Sequence, residues 1–331
     1  MSFLNKAMNI RLFGISFHPQ QHVTLYQAKQ RFMKNQLLLI VFVLVAVAGK
    51  AQDTSGLYPI NNTELYLEIM GEGEPILIVH GGPGLNHEYL LPHLAPLAKK
   101  HKLIFYDQRS CGKSQLNVKA NMNFATFAAD MEAIRVFFHI DKLNILCHSW
   151  GALPVATFIQ NYPDHVKAVV FINPVPFTDE YAMESSRNAA SRVSSADSLK
   201  RIEIMKSPEF IAGNVKSVSD LMMLSLKQLL CDTANLTKID PKLPDNYMVA
   251  SLSLYGFGRE MHDYDFYAQI KDNKTPALII RGACDISPEI ADTKIAGCFT
   301  NAKLYVFEKS GHFAFVEENK LFVKRVNKFF K

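Results

Sequence analysis

Short apolar runs recur along the chain from about residue 60 and alternate with longer amphipathic segments. One run, TELYLEI at 63–69, alternates in polarity and places Leu65, Leu67 and Ile69 on one face of a half-buried strand. Others are continuously apolar, which favours strands buried on both faces of a parallel sheet. These runs are ILIV at 76–79, LIFY at 103–106, LNILC at 143–147, AVVFI at 168–172, ALIIR at 277–281 and KLYVF at 303–307.

The segments between these runs carry helical periodicity. Apolar residues recur at steps of three and four at Phe124, Phe127, Met131, Ile134 and Phe138. The same pattern predicts helices at 150–162 and at 319–331. In the last of these the inward residues are Leu321, Phe322, Val326 and Phe329. Alternation of strands and helices predicts an α/β domain with a mainly parallel central sheet flanked by helices.

One long segment interrupts this alternation, between the AVVFI and ALIIR runs. It exceeds a hundred residues, which is too long for a simple crossover between parallel strands. It is largely polar and helical in pattern, with stretches rich in Met and Leu such as LMMLSLKQLL at 221–230. We predict that residues of about 175–262 form an inserted helical cap.

The N-terminal segment has the pattern of a signal peptide. Residues 37–48 are twelve consecutive apolar residues, fewer than the roughly 20 that a membrane span needs. Arg31 and Lys34 precede them, and small residues follow, with a cleavage site expected after Ala51. A start at Met33 would give this peptide an ordinary length. We therefore expect a leader over 1–51, a folded domain over 52–331 and an extracytoplasmic location, periplasmic or secreted. An uncleaved amphipathic anchor is the alternative.

The charge of the chain is concentrated in that leader. The net charge is +5, but residues 1–52 contain six basic residues and no acidic one. The remainder has 30 basic and 31 acidic residues, so it lacks the basic surface that nucleic-acid binding requires. The five cysteines form no zinc-like spacing and no evident disulfide framework, although one pair could still form a bridge.

The stretch NILCHSWGALP at 144–154 resembles a nucleophile elbow, in which a strand turns sharply into a helix. The usual G-x-S-x-G pattern begins here with Cys147 instead of glycine. Ser149 stands at the apex of the turn, whereas Cys147 is the last residue of the predicted strand. We therefore predict Ser149 as the nucleophile and Cys147 as a tolerated small residue. The alternative is an ordinary strand-to-helix turn.

A serine nucleophile needs a base, and the base needs an acid that orients it. Asp285 follows the ALIIR strand and His312 follows the KLYVF strand, which gives the chain order Ser, Asp, His of this kind of fold. His148 is adjacent to the serine and cannot easily turn back to its hydroxyl. The other plausible position for the acid, after the AVVFI strand, holds Asn173.

A glycine loop, HGGPG at 80–84, directly follows the ILIV strand. Glycines let backbone N–H groups approach a developing oxyanion closely. We predict the oxyanion donors to be the backbone N–H groups of Gly82 and of Trp150. No metal or organic cofactor is expected.

Five motifs now stand in a characteristic order: HGGPG, DQRSCGKS at 107–114, HSWGA at 148–152, GACD at 282–285 and SGHF at 310–313. Over residues 57–331 the chain resembles the α/β-hydrolase superfamily, and within it the proline iminopeptidase group of serine aminopeptidases. The resemblance implies an α/β-hydrolase fold with Ser149, His312 and Asp285 as nucleophile, base and orienter. It also implies a small-molecule or short-peptide substrate, with no nucleic-acid partner and no membrane association beyond the leader.

In proline iminopeptidases, glutamates of the cap bind the free amine of the substrate. The resemblance therefore directs attention to the glutamates of the predicted cap region. We choose Glu260, in FGREMHDYDF, because it lies nearest the body; alternatively it is a solvated carboxylate at a helix end. The other candidates are Glu180, Glu184, Glu203 and Glu209.

Two other functions remain open from the sequence. The family's cap motifs contain tryptophan, but the one tryptophan of this chain is Trp150, in the elbow. A carboxylesterase or lactonase with the same machinery and no amine-binding group is therefore the alternative to an aminopeptidase. A third hypothesis is a non-catalytic ligand-binding protein that keeps the hydrolase fold.

Overall fold

The computed structural model describes residues 54–117, 122–254 and 264–331. They all fall within one compact unit that spans Gln52–Lys331. The predicted leader and Glu260 lie outside the described residues. Among the helices that are described, none combines the length and apolarity needed to cross a membrane.

A central sheet of eight strands has the order β1-β2-β4-β3-β5-β6-β7-β8. β2 pairs antiparallel with β1 and with β4, and all other neighbours are parallel. The strands are β1 Thr54–Ile60, β2 Thr63–Met70, β3 Glu74–Val79, β4 His101–Tyr106, β5 Leu143–His148, β6 Val166–Ile172, β7 Ala277–Gly282 and β8 Ala302–Phe307. The mainly parallel sheet predicted from the apolar runs is confirmed.

Both edges of the sheet differ from the prediction. β1 was not predicted, because Gly56 and Pro59 interrupt a short run whose side chains are mostly exposed. β8 was expected to be buried on both faces, and this is wrong: as the edge strand it leaves Val306 exposed. Arg325 covers its Tyr305 ring, with the guanidinium carbon 4.3 Å from the ring centre, so a cation stacked on an aromatic face replaces apolar burial there.

Helices cover both faces of the sheet. They are α1 Leu91–Leu94, α2 Phe124–Phe137, α3 Ala152–Asn161, α4 Asp179–Ser191, α5 Ser195–Lys206, α6 Pro208–Ile211, α7 Val215–Leu226, α8 Tyr247–Leu254, α9 Glu289–Gly297, α10 Ala314–Glu317 and α11 Asn319–Phe329. Side chains of α2, α3 and α9 belong to the apolar core on one face. Those of α1, α10 and α11 belong to the core on the other face. The helices predicted at 124–138, 150–162 and 319–331 correspond to α2, α3 and α11.

Between β6 and β7 the described chain forms the helices α4 to α8. This helical segment enters and leaves at one joint, where the Phe266 N–H donates to the Phe177 carbonyl oxygen at 2.9 Å and Thr178 pairs with Asp265. Side-chain caps begin three of these helices: Ser194 accepts from the backbone of α5, Ser207 from that of α6, and Asn214 from that of α7. We refer to the segment between residues 177 and 266 as the cap.

Candidate active site

Ser149 lies at the turn between β5 and a short 3-10 segment, Ser149–Gly151, that leads into α3. Its φ of 53° is in the left-handed region, which non-glycine residues rarely adopt. Such backbone strain clusters at functional sites. Behind it, a Cβ on Gly151 would lie 2.6 Å from the His80 carbonyl oxygen, so only glycine fits there. This is the strained geometry of a nucleophile elbow.

Cys147, the other nucleophile considered, is fully buried within the sheet. Its thiol donates to the Val170 carbonyl oxygen of the neighbouring strand, with 3.6 Å between sulfur and oxygen. Burial raises the pKa of this thiol well above its usual range. The thiol is therefore protonated and embedded in the core, and it is small enough to occupy the position where the usual elbow has glycine.

His312, in the loop after β8, connects Ser149 to the loop after β7. Its Nε2 lies 2.8 Å from Ser149 Oγ, and its Nδ1 lies 3.0 Å from Asp285 Oδ1. An ionised carboxylate can only accept, so Nδ1 carries the proton and Nε2 accepts from the serine hydroxyl. The structure thus brings together the three side chains that the sequence placed on three different loops.

Asp285 is buried, yet it remains ionised at neutral pH. Burial alone would raise its pKa. The opposing effects of His312, through charge and hydrogen bonding, and of hydrogen bonds from Asn173 and the Ile286 N–H are larger, and together they lower the pKa from 3.8 to about 2. Both hydrogen bonds are 2.6 Å long. A fixed negative charge therefore faces Nδ1 of His312 at any pH at which the protein would work.

Asn173 has a role that the sequence did not reveal. It stands after β6, with φ at 42°, and its amide nitrogen donates to Asp285 Oδ2 and, at 3.1 Å, to the Gly311 carbonyl oxygen. It thereby ties the loop of the acid to the loop of the histidine. The available signal was its position at the end of a central strand, which we had considered only as a place for the acid.

The glycine loop lies directly against the elbow. A Cβ on Gly81 would be 2.8 Å from the Cβ of Ser149, and Gly82 has a φ of 59°. Trp150 is the second residue of the 3-10 segment that leads into α3, and backbone N–H groups at the start of a helix favour negative charge. Both residues predicted to supply the oxyanion donors therefore lie beside Ser149, Gly82 in the adjacent loop and Trp150 as its neighbour in the chain.

His80 fixes the base of that loop. Its Nε2 accepts from the Gln108 N–H at 3.0 Å, and its Nδ1 contacts the Gly81 carbonyl oxygen at 2.9 Å. Burial lowers the pKa of His80 to about 4, so the ring is neutral and Nδ1 is the donor. The neutral ring therefore links the glycine loop to the loop after β4.

A cavity of about 130 Å³ lies next to Ser149 and His312. Its volume is slightly below the roughly 150 Å³ of an apolar cavity that accepts a benzene-sized molecule. Among the described residues, no aspartate or glutamate lines it. Besides Ser149 and His312, its walls are formed by Gly82, Leu85, Tyr89, His148, Leu226, Leu229, Ile239, Pro241 and Phe313.

One part of the cap, residues 226–241, forms the outer wall of the cavity, and we call it the cap strap. It is bound tightly to the body of the domain. The His312 N–H donates to the Leu229 carbonyl oxygen at 2.7 Å. The Glu317 carboxylate accepts from the Cys231 N–H at 3.0 Å and from the Gly311 N–H at 2.6 Å.

A disulfide between Cys231 and Cys284 adds a covalent link, directly beside Asp285. The sequence left this pairing open. The three other cysteines, Cys111, Cys147 and Cys298, are buried and free. The cap strap is therefore joined to the loops of both the acid and the histidine.

The cap glutamates considered from the sequence do not line the described part of the cavity. Glu203 is exposed and pairs with Lys200 at 3.0 Å. Glu180 and Glu209 are also exposed, and Glu184 is half-buried on α4. Glu260 lies outside the described residues.

An eight-stranded, mainly parallel sheet with a serine at its elbow and a helical cap defines the α/β-hydrolase class. The family model described as alpha/beta hydrolase fold matches residues 74–319, and the chain belongs to this family. It is 26% identical over 262 residues to the proline iminopeptidase of Heyndrickxia coagulans, a match that covers 75% of this chain and 87% of that protein. It is 25% identical over 289 residues to that of Clostridioides difficile strain 630, covering 82% and 96%.

Solved structures share the fold. A proline iminopeptidase from Mycobacterium smegmatis superposes with a TM-score of 0.62 at 19% identity, covering 83% of this chain and 97% of that one. The enol-lactonase from Burkholderia xenovorans LB400 superposes with a TM-score of 0.58 at 17% identity, covering 83% and 99%. The chain is thus a hydrolase of the α/β-hydrolase fold, and its resemblance to proline iminopeptidases is confirmed.

Proposed function

We propose that the protein is a serine hydrolase that cleaves an acyl bond through an acyl-enzyme intermediate. The observation that carries this proposal is the continuous chain of hydrogen bonds from Ser149 Oγ through His312 to Asp285. Ser149 is the nucleophile, His312 the general base and Asp285 the group that orients the imidazole.

In the first step, Ser149 Oγ attacks the carbonyl carbon of the substrate while His312 Nε2 takes the hydroxyl proton. The tetrahedral oxyanion is stabilised by the backbone N–H groups of Gly82 and Trp150. The imidazolium then gives its proton to the leaving group, and the acyl group stays on the serine. Water, deprotonated by His312, hydrolyses this ester and regenerates the serine. No metal or organic cofactor enters this cycle.

Within this class, we propose an aminopeptidase of the proline iminopeptidase type that acts on short peptides. Two observations support it: the named relatives, and a small apolar cavity that suits the ring of an N-terminal proline. Glu260 would bind the free amine of the substrate. The proposal therefore depends on a carboxylate from beyond the described lining of the cavity.

A carboxylesterase or lactonase is the second candidate, and one observation favours it. Among the described residues, the cavity beside Ser149 has no carboxylate in its wall. An uncharged acyl group leaves no buried charge unpaired in such a site, whereas a protonated amine would require a partner. An aminopeptidase would require a free amine on its substrate, whereas an esterase or lactonase would hydrolyse substrates that lack one.

A paired substrate screen separates these functions. Prolyl 4-nitroanilide and its N-acetyl derivative differ only in the amine, while 4-nitrophenyl butyrate and a small lactone carry none. An aminopeptidase should hydrolyse the free prolyl amide and lose this activity on acetylation, because the charge that the site reads is removed. Hydrolysis of the butyrate and lactone without cleavage of the prolyl amide would identify the esterase. If purified protein turned over none of these substrates, the non-catalytic hypothesis would be favoured.

We also propose that the protein is exported, with cleavage of the leader after Ala51. The support is the basic, then apolar, then small-residue pattern of residues 31–51. N-terminal sequencing of the exported protein should begin near Gln52. An exported chain that begins at Met1 would contradict this proposal.

A further inference from the structure

We propose that Tyr89 and His148 form a positioning relay that holds the glycine loop and the histidine loop in register across the site. The proposal rests on the proposed function of Ser149 and His312. Neither relay residue was assigned a role from the sequence, and both are buried. They are positioning residues, since they act through the groups at their two ends.

The relay consists of three hydrogen bonds. The Gly81 N–H donates to the Tyr89 hydroxyl at 2.7 Å. The Tyr89 hydroxyl lies 2.7 Å from His148 Nδ1. On the far side of that ring, His148 Nε2 lies 3.0 Å from the carbonyl oxygen of His312. The chain of bonds therefore begins in the loop of the proposed oxyanion donor and ends on the backbone of the proposed base.

Every proton in this relay has one possible position. The carbonyl oxygen of His312 can only accept, so the one proton of the neutral imidazole is on His148 Nε2, and Nδ1 is an acceptor. The Tyr89 hydroxyl therefore donates to Nδ1 and accepts from the Gly81 N–H, which can only donate. Burial, followed by the nearby charge of His312, lowers the pKa of His148 to about 3. The ring is neutral at physiological pH, and the direction of the relay is fixed.

The relay acts at both ends of the reaction site. Gly81 is joined by one peptide bond to Gly82, whose N–H is a proposed oxyanion donor. The His312 carbonyl belongs to the residue whose ring is the proposed base. A Cβ on Gly81 would be 3.0 Å from His148 Nδ1, so the parts are closely packed. A shift at either link would therefore misplace a group that works mainly in the transition state.

The geometry shows that His148 is not placed to act as a second base. Both ring nitrogens of His148 are already engaged, one by Tyr89 and the other by the His312 backbone. The two imidazole rings lie with their centres 5.0 Å apart. A charged His148 would repel the imidazolium that forms on His312, which the neutral state avoids. Burial serves the site here by removing a charge.

A matched pair of substitutions at His148 tests the relay. In His148→Gln the longer side chain brings an amide nitrogen to about the position of Nε2, so it can still donate to the His312 carbonyl. In His148→Asn the shorter amide reaches only the position of Nδ1, and that donation is lost. We expect His148→Asn to lower kcat by about 10²-fold, the cost of a misplacement of about 1 Å. His148→Gln should restore only part of kcat, because it regains the bond to the His312 carbonyl but not the bond to Tyr89.

Tyr89→Phe tests the other link, because it removes the hydroxyl and keeps the ring. We expect it to lower kcat without changing KM, since ground-state binding does not use the hydroxyl. The melting temperature of each variant is measured alongside. A relay is indicated if, at similar melting temperatures, Gln has a higher kcat than Asn and Tyr89→Phe has a lower kcat than the wild type.

Two outcomes would overturn the relay alone: equal kcat for the Gln and Asn variants, or unchanged kcat in Tyr89→Phe. If both His148 variants fail to fold, the Tyr89→Phe result decides. Ser149→Ala in the same assay tests the proposed function separately. An active Ser149→Ala would overturn the proposed function and the relay with it, whereas an inactive one leaves the comparison of the relay variants intact.

Discussion

The body of the domain and the cap differ in how far their side chains are buried and held by partners. Around Ser149 the polar side chains are buried and almost every one has a defined partner, as with His148 and Asp285. In the cap, α5 buries only Asp197 and leaves Leu199 69% exposed, and Ile211 of α6 is 75% exposed. The body therefore holds reacting groups precisely, while most of the cap can vary at little cost to the core.

The source of this difference is the sheet. Ser149, Asp285 and His312 follow β5, β7 and β8, whose backbones are fixed by parallel pairing with their neighbours. Each loop therefore starts from a known place at the same edge of the sheet. The cap helices have no such frame. They are attached to the body at the joint near Phe177 and Phe266, through the cap strap, and by hydrogen bonds from Asn188 of α4 and from Arg192 at its end to the loop of Asp285.

The cap strap combines the two: its backbone is held by the body, and its side chains face the cavity. Its backbone is tied to the body at Leu229 and Cys231. Its side chains at Leu226, Leu229 and Ile239 face the cavity. The comparison thus predicts that changes in the body abolish the reaction, whereas side-chain changes in the cap strap alter which acyl group is accepted.

Removal of the proposed nucleophile should have the largest effect. Ser149→Ala should lower kcat by about 10⁴–10⁶-fold, as in other enzymes of this mechanism that lose one member of the catalytic unit. The hydrolysis rate of whichever screened substrate is turned over measures this, and a fluorophosphonate probe should label Ser149.

Cys147→Ser is the matched control for that experiment. The thiol is buried in the sheet and bonded to the Val170 carbonyl oxygen, and a serine hydroxyl can make the same bond. We expect a folded protein that retains activity and fluorophosphonate labelling. Loss of activity in Cys147→Ser, together with survival of Ser149→Ala, would reverse the assignment of the nucleophile.

A change in the cap strap should have a smaller and more selective effect. Leu229→Ala enlarges the cavity beside Ser149 while keeping the backbone carbonyl that His312 uses. We expect the kcat/KM of a hexanoyl ester relative to an acetyl ester to rise by roughly tenfold, because each methylene in an apolar pocket is worth about 1–3 kcal/mol. Leu229→Phe should move the ratio in the opposite direction.

Leu199→Ala provides the control in the cap, since this side chain is exposed on α5 and is not part of the cavity wall. It should leave the ratio unchanged. If both Leu229 variants kept the wild-type ratio, the cap strap would not select the acyl group. The proposed difference in function between the body and the cap strap would then be wrong.

Much of the body could be predicted from the sequence because its signals are local. A central strand is a short apolar run, and the reacting residue follows where the run ends, as with Ser149, Asp285 and His312. The same locality explains why β1 was missed. Its strand character depends on pairing with β2, while its own residues, including Gly56 and Pro59, do not favour a strand.

The connections between loops could not be predicted, because they join residues far apart in the chain. Tyr89 and His148 are 59 residues apart, and Asn173 and Asp285 are 112 apart. The sequence around a tyrosine or an asparagine does not show with which distant group its side chain will form a hydrogen bond. A related reason explains why Glu180, Glu184, Glu203 and Glu209 do not line the described cavity: their sequence neighbourhoods do not tell which helix face will meet it. The choice of Glu260 stays a prediction.

The Cys231–Cys284 disulfide closes a covalent ring in the chain, with a sequence separation of 53 residues. The ring includes α8 of the cap and β7 of the sheet. A protease that cuts once within it produces two chain ends but no separate fragments. A nicked molecule would keep its mass under oxidising conditions and would come apart only after reduction, so electrophoresis without reductant would not reveal the cut.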